Sequence, residues 1–117
     1  MAWFNKSVAL ADLGRYAEAI VCCDNAIKLD VSYAYAWGEK GGNLIQTGHL
    51  EAAVQCLEEA LRLDANNAAA WSNNGAALLG LGRREEAIQC FEEALALDHS
   101  NAAVLENKAT ALQGRKQ

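Results

Sequence analysis

Trp3, Trp37 and Trp71 stand 34 residues apart, and the same beat runs through the rest of the chain. Gly14, Gly48 and Gly82 keep it, as do the sets Ala19/Ala53/Ala87, Ala26/Ala60/Ala94, Leu29/Leu63/Leu97 and Asp30/Asp64/Asp98. A period held at this many positions, with no insertion or deletion, means that one short helical or strand unit is stacked on copies of itself. Each copy then buries against its neighbour a face that it cannot bury alone. At 117 residues the chain has room for one such array and hardly for two independent cores.

Within one period the pattern is that of two helices. From Ala68 to Leu81, residues Trp71, Gly75, Leu78, Leu79 and Gly82 fall at helical spacing, and Gly82 ends the helix by taking a left-handed backbone. A second helix follows with Ala87, Phe91, Ala94, Leu95 and Leu97 as its apolar stripe, stopping near Asp98. Ser32, Asn66 and Ser100 are assigned as caps of the helix that follows each corner. The repeated alanines are small enough to let helices approach to about 8–10 Å. The three tryptophans supply bulk at the other end of each hairpin; identical repeat positions imply identical packing duties, not a ligand-stacking row.

After Asp98 a fourth period begins and stops halfway. Ala102 to Gln113 reads as a first helix, with Leu105 where tryptophan stood. Glu106, Asn107, Lys108, Thr110 and Gln113 make it polar, which suits a closing helix with one face in water. The expected organisation is therefore all-α: repeat units at 1–33, 34–67 and 68–101, then a closing helix and short basic tail at 102–117.

Composition narrows the function. The absence of proline, with 52% apolar and 21% charged residues, fits a folded helical chain and not a disordered one. A net charge of -5 repels phosphate backbones, so nucleic acid is not an expected partner. No apolar run approaches the roughly 20 residues that a membrane span needs, and the start of the chain lacks the pattern of a secretory leader. Cys22, Cys56 and Cys90 follow the repeat, which argues against a bridge framework and for a reducing, cytoplasmic setting. Successive copies should lie on the order of 10 Å apart, beyond the reach of a disulfide or of one zinc ion. His49 and His99 fall at turns far apart in the array, and the Glu58–Glu59 and Glu92–Glu93 pairs read as a solvated outer face. No catalytic residue, metal ligand or cofactor is expected.

The tryptophan, glycine, alanine and aspartate positions, in a unit such as YAYAWGEKGGNLIQTGHLEAAVQCLEEALRLDANN, resemble the tetratricopeptide repeat over essentially the whole chain. Two features depart from the family pattern. Val31, Ala65 and His99 stand where proline is usual, and the usual aromatic early in the second helix is Tyr16 in the first unit but Leu50 and then Arg84 in the next two. The resemblance implies a right-handed superhelix of three helical hairpins plus a closing helix, whose first helices line a concave groove for a peptide or helix of a partner protein. Carried over position by position, the groove would include Phe4, Asn5 and Val8; Tyr35, Glu39, Gly42 and Ile45; Ser72, Asn73, Ala76 and Leu79; and Asn107.

Two recognition schemes of the family bear on these residues. The cationic clamp that grips chaperone C-terminal carboxylates would fall on Phe4, Val8, Glu39, Ala69 and Asn73, which supply no positive charge, so that scheme is rejected. The asparagine row that binds peptide backbone in some members matches Asn5, Asn73 and Asn107, with Glu39 in the fourth place. Either that row contacts a bound segment or it is simply solvated. The small and apolar remainder of the floor suits an apolar helix face or hydrophobic peptide. The alternative to a binding scaffold is a self-assembly unit, since exposed repeat ends can stack on one another.

Overall fold

The computed structural model describes residues 2–115. Helices occupy Ala2–Asp12 (α1), Tyr16–Leu29 (α2), Ala34–Gln46 (α3), Leu50–Leu63 (α4), Ala68–Gly80 (α5), Arg84–Leu97 (α6) and Ala102–Arg115 (α7), with no strand among the described residues. Each helix packs on the next. The first helices α1, α3, α5 and α7 also touch in succession, whereas no second helix touches another. That asymmetry bends the array so that the first helices share its inner side, in an elongated body of 44 × 25 × 22 Å. None of the described helices is long and apolar enough to cross a membrane.

The turn inside each hairpin is made the same way three times. Gly14, Gly48 and Gly82 have φ of +77°, +83° and +80°, a region that a side chain would strain. That conformation lets the next residue's N–H reach back to the helix: Arg15 to the Leu10 carbonyl, His49 to Leu44 and Arg83 to Leu78, at 2.8–2.9 Å. The glycine N–H groups bond Ala11, Ile45 and Leu79, completing the paired bonds of a Schellman motif.

The corner between hairpins has a different basis. Asp30, Asp64 and Asp98 turn a carboxylate oxygen toward the backbone N–H of Ser32, Asn66 and Ser100, at 3.1, 3.0 and 3.3 Å. Those three residues therefore belong to the turn and are not the caps expected of them. The side-chain caps lie one residue later, where Asn67 accepts from the Ala70 N–H at 3.1 Å and Asn101 from the Val104 N–H at 3.2 Å. Tyr33, at the matching place before α3, has no capping side chain. The indole N–H groups of Trp37 and Trp71 donate to the carbonyls of Val31 and Ala65 at 2.7 and 2.8 Å, tying each helix to the corner before it.

Trp37 and Trp71 thus close corners, and the buried seam is made of other residues. Trp3 is 37% exposed, and Trp37 and Trp71 are half-buried against the core. Ala19, Ala53, Ala87, Ala26, Ala60 and Ala94 are fully or almost fully buried, as the small-residue argument requires. In α6 the buried face runs through Ala87, Ile88, Cys90, Phe91 and Ala94; Leu97 closes the helix beyond that face and is exposed, contrary to the stripe expected from sequence.

Inside each hairpin one close crossing sets the packing. A Cβ placed on Gly41 would lie 2.5 Å from Leu57 Cγ, and one on Gly75 would lie 2.5 Å from Phe91 Cε1. The first hairpin solves the same crossing with Ser7 against Cys23, both fully buried, the serine hydroxyl donating to the Phe4 carbonyl at 2.6 Å. A larger residue on the first helix is thus matched by a smaller one on the second. Gly42 differs from its neighbour Gly41, because a Cβ there meets only Asn73 Nδ2 at an ordinary 3.6 Å. We therefore expect opposite signs at adjacent glycines in urea unfolding. Gly41→Ala should destabilise by about 1–3 kcal/mol through overpacking, and Gly42→Ala should stabilise by about 0.5–1 kcal/mol through helix propensity.

Candidate functional site

The inner side is built from residues that each first helix turns away from its own hairpin. Phe4 on α1, Tyr35, Gly38 and Glu39 on α3, and Ala69, Ala70 and Asn73 on α5 line a cavity of about 210 Å³, with Asn67 at the start of α5. Phe4 and Tyr35 form an apolar wall that Tyr33 backs. Phe4 meets Tyr33 edge-on at 5.4 Å and Tyr35 at 6.2 Å, and the two tyrosines are 6.2 Å apart. Edge-to-face rings hold one another in place and leave Tyr35, 56% exposed, presenting an apolar surface to the cavity.

The polar groups of the lining are Glu39, Asn67 and Asn73. Asn73 brings an amide with both donor and acceptor, and Glu39 brings a carboxylate whose pKa is raised, first by burial and then by the charge of Asp12. No lysine or arginine lines this cavity. Lys40, next to Glu39, is directed elsewhere, to Asp24 at 2.7 Å. The cavity therefore combines an apolar shelf, two amides and one negative charge, which repels rather than attracts a carboxylate-bearing ligand.

Of the twelve residues singled out from sequence, four meet in this cavity: Phe4, Tyr35, Glu39 and Asn73. Gly42 adjoins Asn73. Ile45 and Leu79 pack partly against the core, which limits what they present to a ligand. Asn5, Val8, Ser72, Ala76 and Asn107 lie on the same first helices, and none lines this cavity. Tyr33 and Asn67 were missed. Both sit at the residue just before a first helix, one 34-residue step apart, and asparagine there is a strong capping signal. Placing the caps one residue early hid them.

Profiles described as tetratricopeptide repeat match residues 1–32 and 68–101, and one described as TPR repeat matches residues 41–82. The chain belongs to the tetratricopeptide repeat family. No curated protein matches the chain. Among solved structures, the first TPR of Spaghetti (RPAP3), bound to the HSP90 peptide SRMEEVD, is similar with a TM-score of 0.96 and 22% identity over 99% of this chain and 94% of that one. The second TPR domain of human RPAP3, in complex with the HSP70 peptide SGPTIEEVD, gives 0.87 and 24% over 92% and 89%. The Arabidopsis OM64 TPR domain gives 0.92 and 23% over 94% and 91%. At such identities these likenesses establish the tetratricopeptide fold.

Glu39 also makes the site testable through pH. The folded chain holds the Glu39 proton more tightly than the unfolded chain, so stability falls as pH rises through and above the ordinary value of 4.5. Glu39→Gln should raise the melting temperature at about pH 7. The gain should vanish once the pH drops below 4.5, where glutamate is protonated in both states. Thermal melts of the two proteins across that range check this.

Proposed function

We propose that the inner side of this tetratricopeptide array is a protein-interaction groove that binds a peptide or helix of a partner protein through an apolar anchor. The observation that carries the reading is the cavity where Phe4 and Tyr35 face Asn73 across two successive repeat boundaries. An anchor side chain can lie on the Tyr35 ring while the Asn73 amide pairs with the peptide backbone, which an amide does whatever the local sequence. The fuller groove, with Asn5, Val8, Gly42, Ile45, Ser72, Ala76, Leu79 and Asn107 extending it along the first helices, belongs to the same proposal.

The similar domains of Spaghetti and human RPAP3 hold peptides ending in EEVD or MEEVD. The same ligand does not suit this chain, because the cavity offers Glu39 and no cation to an acidic tail. A scaffold role, with no catalysis of its own, also fits a site lined by one carboxylate, two amides and two rings. Four free, buried thiols suit a reducing compartment such as the cytoplasm. Self-association is a second reading, favoured by the cleft of about 290 Å³ that Trp3, Leu10, Val21 and Cys22 line at the first hairpin, where Val21 is 58% exposed. Mass measured against concentration separates it from the first.

Selection from a random-peptide library on the immobilised chain, followed by calorimetry, tests the groove. Selected peptides should carry an aromatic or aliphatic anchor and few acidic residues. Tyr35→Ala should weaken them by about tenfold or more, the range of a central interface residue. Asn73→Ala should weaken them by about three- to tenfold, one hydrogen bond's worth. Enrichment of acidic C-terminal tails, or binding indifferent to both substitutions, would count against the groove.

A further inference from the structure

One ion pair recurs between successive repeats and is broken once. Asp24 on α2 meets the Lys40 ammonium on α3 at 2.7 Å, and Glu92 on α6 meets that of Lys108 on α7 at 4.0 Å. On the 34-residue beat the pair between them is Glu58 on α4 with position 74 on α5, and position 74 is asparagine. Where the repeat pattern calls for an ammonium there is a cleft of about 450 Å³, lined by Glu58, Glu86, Glu92 and Glu93 together with Trp71 and Asn74.

The polar groups of this cleft are short of a donor. Asn74 is only 4% exposed; its Nδ2 donates to Cys90 Sγ at 3.6 Å, and its Oδ1 has no hydrogen-bond partner. A buried amide oxygen left unpaired costs free energy that a donor entering the cleft would recover. Glu86 is paired with Arg83, which also feels Glu58 and Glu51, and Glu92 faces Lys108. Glu58 and Glu93 take part in no ion pair among the described residues. The field reaches the cleft wall. Burial, opposed by the Asn74 hydrogen bond and reinforced by Glu58, Glu86 and Glu93, pushes the Cys90 thiol up to about 11. In the intact pair, burial is the largest influence and works against the Lys40 charge, yet the hydrogen bond to Asp24 together with the charges of Cys56, Asp24 and Cys23 holds the ammonium above its ordinary range.

We propose that this cleft receives the ammonium of a lysine side chain presented by a partner protein, in the place that Lys40 and Lys108 fill for their own repeats. An ammonium has three donors, enough for Asn74 Oδ1 and the Glu58 carboxylate together. Its four-carbon stem can lie along Trp71 and Leu78, both in the lining. The acidic residues form no group able to hold a metal ion among the described residues, which sets a single organic cation apart from a metal. Because Asn73 lines the inner cavity and Asn74 this cleft, the two surfaces lie on different sides of α5 and this assignment does not rest on the groove.

Titration of the isotope-labelled chain with Nα-acetyl-lysine N-methylamide, followed by NMR, tests it. The Asn74 side-chain amide and the Trp71 indole N–H should shift, with a dissociation constant on the order of 10 mM for so small a probe. The norleucine analogue, which keeps the stem and lacks the charge, should leave them in place. Asn74→Lys, which rebuilds the internal pair, should abolish the shift of the Trp71 indole N–H. Glu58→Gln, on an exposed residue whose loss leaves the core intact, should weaken binding by about tenfold. Shifts absent with the lysine probe, or unchanged in both variants, would overturn the proposal. Tighter binding of spermidine or n-butylamine than of the lysine probe would assign the cleft to free amines and overturn the protein source.

Discussion

The crossing of the two helices within each hairpin is the contact from which the rest of the structure follows. Gly41 under Leu57 and Gly75 under Phe91 leave no space for even a methyl group, so the helix axes there are as near as backbone and side chain allow. Ser7 with Cys23 reaches the same closeness with a different division of volume. Packing at interior density does not tolerate a change on one side alone. Once the crossing is fixed, the alanines above and below it have only small gaps to fill, and they are buried to the last few per cent.

That rigid hairpin is then propagated by corners of a different kind. The family's proline is absent, and the geometry is held instead by an aspartate that bonds the backbone two residues on at all three corners and, at the first two, by an indole N–H that reaches the corner carbonyl. These are local bonds within a few residues, so each corner forms independently of its neighbours and imposes the same step each time. Repetition of one step brings the first helices into contact with one another and keeps the second helices apart. The inner side, and the cavity on it, is a consequence of that arithmetic and needs no residue devoted to bending the array.

The period, the helix count and the glycine turns were legible because each rests on one residue type at one spacing. Gly82, for instance, needs φ near +80°, and glycine is the residue that takes it without strain. The role of tryptophan was not legible. A large apolar ring at a repeated position reads as core, and nothing in the pattern shows that its N–H has a carbonyl within reach six residues back. The groove was legible only in part for the same reason. The family resemblance put Phe4, Tyr35, Glu39 and Asn73 on a shared side, but whether Ile45 and Leu79 faced a ligand or the core depended on how far each helix rotates in its crossing.

Because the repeats share one backbone, each serves as a reference for the others, and departures from the shared residue acquire physical meaning. Position 39 interrupts a row of asparagines with a carboxylate, and the fold leaves it half-buried in the cavity lined by Phe4 and Tyr35, where burial and the charge of Asp12 disfavour its own. Position 74 interrupts a row of lysines with an amide, and the fold leaves an oxygen without a donor. Neither change helps the hairpin that carries it: a neutral residue at 39 and a lysine at 74 would both sit more comfortably among the surrounding groups. Local conflict of this kind is what minimally frustrated sequences avoid within the core and retain where another molecule resolves it. The two conflicts fall on different sides of the first helices, so a chain of only three hairpins carries two chemically distinct faces, one apolar and amide-lined, the other acidic.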